Sequence, residues 1–166
     1  MKTQDIITDR LELREITEDD TELIVMWRSN YNIYKYFGLP HAITSSEHLE
    51  WYNNYIQDNS IVHFIAIEKV TRVAIGVFGV KRCKENKECA EISSCILDEG
   101  KRGKGYAQEA TNAMVEYATK IWKVKRVVAD VHKENEASKK MFNRCGFYLS
   151  GESDVFCIFV RDICYT

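Results

Sequence analysis

The sequence predicts an α/β fold: a mixed, mostly antiparallel sheet with helices on both faces. Three observations carry this. Strand-forming blocks at 61–67, 73–80 and 89–97 follow one another with only charged, turn-like segments between them, as in an antiparallel meander. A later strand–helix–strand unit suggests a parallel crossover. Segments with helical apolar spacing lie both before and after the strand blocks, so helices are available for two faces.

Taken in order, residues 10–16 (Arg-Leu-Glu-Leu-Arg-Glu-Ile) alternate apolar and charged side chains, the period of a half-buried strand. Thr17-x-x-Asp20 resembles a capping box and opens a helix carrying Leu23, Ile24 and Trp27. Thr44-x-x-Glu47 opens a second helix carrying Leu49, Tyr52 and Ile56. After the three strand blocks, Ala107, Ala110, Met114, Tyr117, Ala118 and Ile121 recur at helical spacing. Arg126–Val131 reads as a buried strand. Asn135 to Cys145 reads as a short helix, with Asn135 as its cap and Gly146 just past its end. Phe147–Leu149 and Val155–Val160 complete the order β-α-α-β-β-β-α-β-α-β-β.

The chain has 166 residues, 45% apolar and 29% charged, which suits one globular domain over 1–166. Net charge is −2, giving no general attraction to nucleic-acid phosphates or anionic lipid. No stretch approaches the ~20 apolar residues of a membrane helix. Met1-Lys2-Thr3-Gln4-Asp5 is not followed by an apolar core and a cleavage site, so the expected location is cytoplasmic. In that compartment the six cysteines read as free, mostly buried thiols. Cys83, Cys89 and Cys95 sit six apart with no histidine nearby, so no metal site is expected.

The most informative stretch is Leu97-Asp-Glu-Gly-Lys-Arg102-Gly103-Lys104-Gly105-Tyr106-Ala107, between a strand and an amphipathic helix. Glycines turn the backbone tightly and expose its N–H groups, and the helix start adds free donors and a positive dipole end. Lys101, Arg102 and Lys104 add charge. The pattern suits a phosphate or pyrophosphate; the competing reading is an ordinary basic turn. Gly100 and Gly105 have the spacing of a nucleoside-triphosphate loop, but Tyr106-Ala107 replace its Lys-Ser/Thr, which argues against a nucleotide-binding phosphotransferase. The dinucleotide fingerprint fails too, since Gly103 and Gly105 are followed by Gln108.

Arg102-x-x-Gly105-x-Ala107 resembles the Q/R-x-x-G-x-G/A signature of the GCN5-related N-acetyltransferases, the GNAT superfamily. Asn135-Glu-Ala-Ser138 followed by Met141-Phe142-Asn-Arg-Cys-Gly146-Phe147 is similar to that family's second block, and residues 10–16 resemble its first strand. The resemblance covers nearly the whole chain. Ala90-Glu91-Ile92 and Asn135-x-x-Ser138 resemble the branch of ribosomal-protein N-terminal acetyltransferases. Trp27-Arg28-Ser29-Asn30 and His48-Leu-Glu-Trp51 resemble the branch acting on nucleotide-linked amino sugars.

The resemblance implies a GNAT-like fold with a splayed parallel strand pair, and acetyl-CoA as co-substrate without a metal. It implies that amides across Arg102, Gly103, Lys104, Gly105, Tyr106 and Ala107 hold the pyrophosphate. The strand end at Cys95, Ile96 and Leu97 would pair with the pantetheine arm, and Asn135 would touch the pantetheine amide, cap its helix, or both. The acceptor is then a primary amine, a protein N-terminus or alternatively an amino sugar or other small amine, and a homodimer fits the family. A non-catalytic acyl-CoA-binding module is the reading from another class.

For the chemistry, Glu91 is the first candidate base; with regular strand pairing it shares a face with Ser93 and Cys95, whereas a bulge would reverse this. The alternative is a surface carboxylate paired to a lysine. Glu88 and His132 are reserves. Many family members carry tyrosine as acid where this chain has Phe142. Ser138, at i−4 from it, would then hydrogen-bond the sulfur, or else serve only as a helix-start serine. The aromatics of the first half read mostly as core, and Tyr31 to Thr44 as the acceptor-side loop.

Overall fold

Alternation sets the first strands. β1 (Ile6–Ile7) pairs antiparallel with β2 (Leu11–Glu15), in which Leu11 and Leu13 are fully buried and Glu12 between them lies on the other face, paired with Arg72. The computed structural model describes residues 3–38 and 40–165; Met1, Lys2, Leu39 and Thr166 lie outside it, and with them the ends of the 1–166 span and one residue of the segment read as the acceptor-side loop.

Both predicted helix starts form. Thr17 N–H donates to Asp20 Oδ2 at 2.8 Å, and the Arg14 guanidinium donates to both Asp20 oxygens at 2.7 and 2.8 Å. Burial pushes the Asp20 carboxyl up, but these donors outweigh it and hold it below its ordinary value. α1 (Thr21–Arg28) follows, then a helical turn α2 (Tyr31–Tyr34) inside the segment read as a loop. Asn30 caps this turn, its Oδ1 accepting from Asn32 N–H. At α3 (Ser45–Tyr55), Thr44 N–H donates to Glu47 Oε2 at 2.7 Å and Glu47 N–H donates to Thr44 Oγ1 at 3.2 Å.

The remaining elements are β3 (Ile61–Glu68), β4 (Ala74–Arg82), β5 (Cys89–Leu97), α4 (Tyr106–Trp122), β6 (Arg126–His132), α5 (Glu136–Arg144), β7 (Tyr148–Glu152) and β8 (Phe156–Asp162). Among the described residues the strands form one eight-stranded sheet in the order β1-β2-β3-β4-β5-β6-β8-β7. The β5–β6 pair is parallel and the other neighbours are antiparallel. One sheet face packs Phe64, Phe78, Val80 and Val127 against α4 and α5. The other packs Ile65, Val77 and Ile96 against Ile24 and Trp27 of α1 and Tyr55 of α3. Helices on both faces are therefore as expected. Ala110, Ala113 and Ala118 let α4 lie close on the sheet. Ile121, on the same spaced row, instead lies 60% exposed in the last turn, just before Lys123 at φ 56° ends the helix.

Phe78 is 1% exposed at the centre of the first core. Phe78→Ala is expected to cost about 3–5 kcal/mol of stability, read as a lower urea midpoint at unchanged slope.

Two irregularities position the site. β5 and β6 pair only at Cys89–Arg126, Ala90–Val127 and Glu91–Val128. Beyond these, β5 stays on β4 as far as Leu97–Gly76, while β6 stays on β8 as far as His132–Phe156, so the two strands part like a wedge. The second is a bulge in β5. Gly79 pairs with Ser94 and Val80 with Ile92, leaving Ser93 without a partner on β4.

Candidate active site

A groove of about 1280 Å³ opens where the strands part. Its floor is β5 from Glu91 to Leu97, one wall is β6 from Ala129 to His132, and the loop before α4 closes one end. The other end is walled by α1, the segment after α2, and α3.

The loop end is built from free amides. Gly103 and Gly105 adopt φ of +79° and +82°, left-handed conformations that glycine takes at low cost. The turn they make leaves the consecutive N–H groups from Gly103 through Gln108 without an acceptor among the described residues; the first helical bond is Glu109 N–H to the Gly105 carbonyl. A row of such donors at a helix start is the arrangement that binds a diphosphate. The loop is pinned from behind. Arg10 donates to the Lys104 carbonyl at 2.7 Å and to Glu109 Oε2 at 2.7 Å, and its guanidinium lies 4.3 Å from the centre of the Tyr106 ring. The Tyr106 hydroxyl donates to Glu68, which also receives Thr71 and Lys101. The Thr71 hydroxyl, then Tyr106 and Lys101, hold the Glu68 carboxyl down at about 2. Arg102, Gly103, Gly105, Tyr106 and Ala107 line the groove, whereas Lys104 is exposed and does not, and the Arg102 N–H, expected to face the diphosphate, is taken by the Glu99 carbonyl at 3.3 Å.

The strand residues Cys95, Ile96 and Leu97 line the floor. The bulge corrects the face assigned to Glu91. Cys95 pairs with Phe78 and turns toward α4, where its sulfur meets Thr111 Oγ1 at 3.8 Å; burial pushes this thiol up to about 11. Glu91 pairs with Lys81 on the opposite face, the face of His63. Its carboxylate lies 3.4 Å from Lys81 Nζ and lines the groove. Glu91 thus stands with Ser93 but away from Cys95, because the extra residue reverses the alternation.

Asn135 caps α5, its Oδ1 accepting from Ser138 N–H at 3.2 Å. Ser138 lines the groove, and its hydroxyl has no partner among the described residues. Phe142 is 3% exposed and packs on Phe147 and Phe159 at 5.1 and 6.3 Å between ring centres. The reserve bases fare differently. Glu88 pairs with Lys125 and does not line the groove. His132 lines it, but its Nδ1 accepts from Glu134 N–H.

At the other end of the groove sequence reasoning named only the Tyr31–Thr44 segment, whose Tyr36, Phe37 and His41 line it, and missed the rest. His63 Nε2 lies 3.0 Å from Ser93 Oγ, and burial pushes this ring down to about 3, so it is neutral at pH 7. Gly79 opposite it has no room for a side chain: a Cβ there would come within 2.3 Å of the imidazole. Arg28, His48, Trp51 and Lys81 join His63 in the lining. Trp27 and Tyr55 are core as predicted, while Tyr36, Phe37 and Trp51 wall the groove.

The acetyltransferase (GNAT) domain profile matches residues 10–148. The chain belongs to the GNAT acetyltransferases. Among curated relatives, the uncharacterized N-acetyltransferase YoaA of Bacillus subtilis is 29% identical over 147 residues, 87% of this chain and 82% of that protein. The spermidine N(1)-acetyltransferase of Vibrio cholerae is 26% identical over 145 residues, 87% of this chain and 83% of that protein. A crystal structure of spermidine N-acetyltransferase from Vibrio cholerae with CoA and spermine superposes with a TM-score of 0.78 at 23% identity, covering 92% of this chain and 94% of that one. This GNAT chain is an acetyl-CoA-dependent acetyltransferase, and its mixed sheet with one parallel pair is the family fold. The free amides from Gly103 to Gln108 and the parted β5 edge fit acetyl-CoA as co-substrate. Among the described residues no group of three or more His, Cys, Asp or Glu is placed to hold a metal, and no helix is long and apolar enough to cross a membrane.

Proposed function

We propose that this GNAT protein acetylates a primary amine by direct attack within a ternary complex, the groove holding donor and acceptor at once. The row of unpartnered amides at Gly103–Gln108, opening onto parted strands, is the observation that carries this reading. Acetyl-CoA supplies the activated acetyl thioester. The amides from Gly103 to Gln108 grip its diphosphate. Cys95, Ile96 and Leu97 offer the backbone edge that β6 has left, to which a pantetheine arm adds like a strand. Asn135 keeps its Oδ1 on the cap and has its Nδ2 free for the pantetheine amide. Backbone N–H groups at the strand end face the negative charge that develops on the carbonyl oxygen.

Glu91 takes the acceptor's proton, directly or through a water, where β5 and β6 begin to part. The demand on it is modest, since an α-amino group with pKa near 8 is about a tenth neutral at pH 7. A protein N-terminus is the acceptor the sequence suggests first; small amines such as the spermidine named for the Vibrio cholerae relative are the alternative. Ser138 turns its hydroxyl to the departing sulfur, since Phe142 has no proton to give.

The test is CoA release, followed with a thiol reagent, on a panel of peptide N-termini, polyamines and amino sugars. Turnover of one acceptor class supports the reading; CoA binding without turnover of any supports a binding module instead. Ser138→Ala is expected to lower kcat about tenfold, the value of one hydrogen bond, with little change in KM for acetyl-CoA. Its thermal midpoint should hold, because the cap bond uses the backbone N–H rather than the hydroxyl. A changed donor KM at constant kcat would make Ser138 a binding or structural residue.

A further inference from the structure

Arg28 ends α1 at the acceptor end of the groove, partly buried. Among the described residues its guanidinium has no ion pair and no hydrogen bond. The Phe37 ring lies 5.4 Å from the guanidinium carbon. The nearby carboxylate, Glu47, accepts the Thr44 N–H in the α3 cap. Burial lowers the Arg28 pKa, with Glu47 opposing only in part. A half-desolvated cation without a counter-ion is costly, and guanidinium loses little of its charge to relieve it.

His48 gives an independent sign. It is 2% exposed, it lines the same end of the groove, and its Nε2 is buried without a hydrogen-bond partner. An orphaned buried polar atom costs about 1–3 kcal/mol, so this nitrogen has hydrogen-bonding capacity left over for a bound group. Burial, and then the charge of Arg28, shift the His48 ring toward its neutral form, with Asp20 opposing. The neutral ring can still donate one N–H. Lys81 adds a second cation, although Glu91 takes it up at 3.4 Å. The carboxylates near this end are committed elsewhere, Asp20 to Arg14, Glu47 to the α3 cap and Glu91 to Lys81, which leaves Arg28 without a direct partner among the described residues.

We infer that the amine acceptor carries an anionic group, a carboxylate or a phosphate, which docks in the guanidinium fork of Arg28 beside His48. The inference rests on the acetyltransferase reading of the groove and names the acceptor class it selects. A planar fork matches both anions bidentately, whereas a polycationic amine would meet Arg28 with like charge. Of the acceptors proposed above, this favours an anionic amine over a polyamine such as spermidine.

The experiment is calorimetric binding of two matched pairs, with and without saturating CoA. One pair is glucosamine and glucosamine 6-phosphate, the other hexylamine and 6-aminohexanoate. The expected result is binding about tenfold or more tighter for the anionic member of at least one pair, the worth of one charge-assisted contact. The pair that responds tells phosphate from carboxylate. Arg28→Gln should erase the preference while leaving CoA affinity unchanged, and Arg28→Lys should retain part of it. Since no ion pair is lost, Arg28→Gln should fold with an equal or higher thermal midpoint. Equal or undetectable binding of all four compounds, or a preference that survives Arg28→Gln, overturns the inference. Failure to bind CoA overturns the acetyltransferase reading and is seen separately, because the pairs are also compared without CoA.

Discussion

Gly105→Val is expected to raise the KM for acetyl-CoA about 100-fold or more with a smaller change in kcat. Gly105 sits at φ +82°, where a β-branched residue is strained whatever the space around it. Its Cβ would also lie 3.4 Å from Arg10 Nη2, one arm of the guanidinium that pins the Lys104 carbonyl. That contact is an ordinary one, so the strain at φ decides; the loop relieves it by moving, and moving turns its amides out of line. Losing two amide–phosphate bonds at about 1.5–3 kcal/mol each exceeds a factor of 100 in affinity. Gly103, also left-handed, has open space where its Cβ would stand, so there only the conformational cost applies and a Gly103→Ala effect should be smaller. Initial rates at varied acetyl-CoA, beside a melting curve, check the result. An unchanged KM in a folded Gly105→Val protein would refute the loop as the diphosphate site.

Local patterns in this chain were legible because local physics writes them. The alternation of Leu11 and Leu13 with charged residues, the Thr44–Glu47 box and the Asn135 cap each depend on neighbours within four positions, and each forms. The glycine loop was legible for the same reason: two left-handed residues before a helix leave amides bare, whatever the rest of the chain does. What could not be read was pairing across distance. The bulge at Ser93 follows from how β4 and β5 meet, with Gly79 yielding space to His63 of β3, and no spacing in 89–97 announces it. That single residue reverses the face of Glu91 relative to Cys95. The Arg28 and His48 end was hidden too, since helices distant in sequence from β5 come together there only when α1 and α3 pack on the sheet. The sequence signals were the segment 31–44, read as the acceptor-side loop, and the segments at 27–30 and 48–51 that resemble a branch acting on amino sugars.

Glu91→Gln is expected to lower kcat about 10- to 100-fold at pH 7, with the deficit narrowing toward pH 9. The bulge is what makes the position testable, because it turns Glu91 away from the Cys95 side and into the groove beside Lys81. The competing groups are weaker candidates on geometry. Glu88 lies outside the groove, His132 has Nδ1 engaged by Glu134 N–H, and burial holds His63 at about 3, too weak a base for an ammonium proton. Glutamine keeps the shape and can still accept from Lys81, so what it removes is proton acceptance. At higher pH more of the amine is already neutral and hydroxide can take the proton, so the variant should recover relative to the parent. The opposite case is equally specific. If Glu91 serves only its ion pair with Lys81, whose side chains are 30% and 42% exposed, the pair is worth at most about 1 kcal/mol. Glu91→Gln would then lower the thermal midpoint by a few degrees, about 2–4 °C for a chain of this size, and leave kcat where it was. A kcat deficit that stays constant from pH 6 to pH 9 would assign Glu91 to orienting the acceptor and move the proton to water.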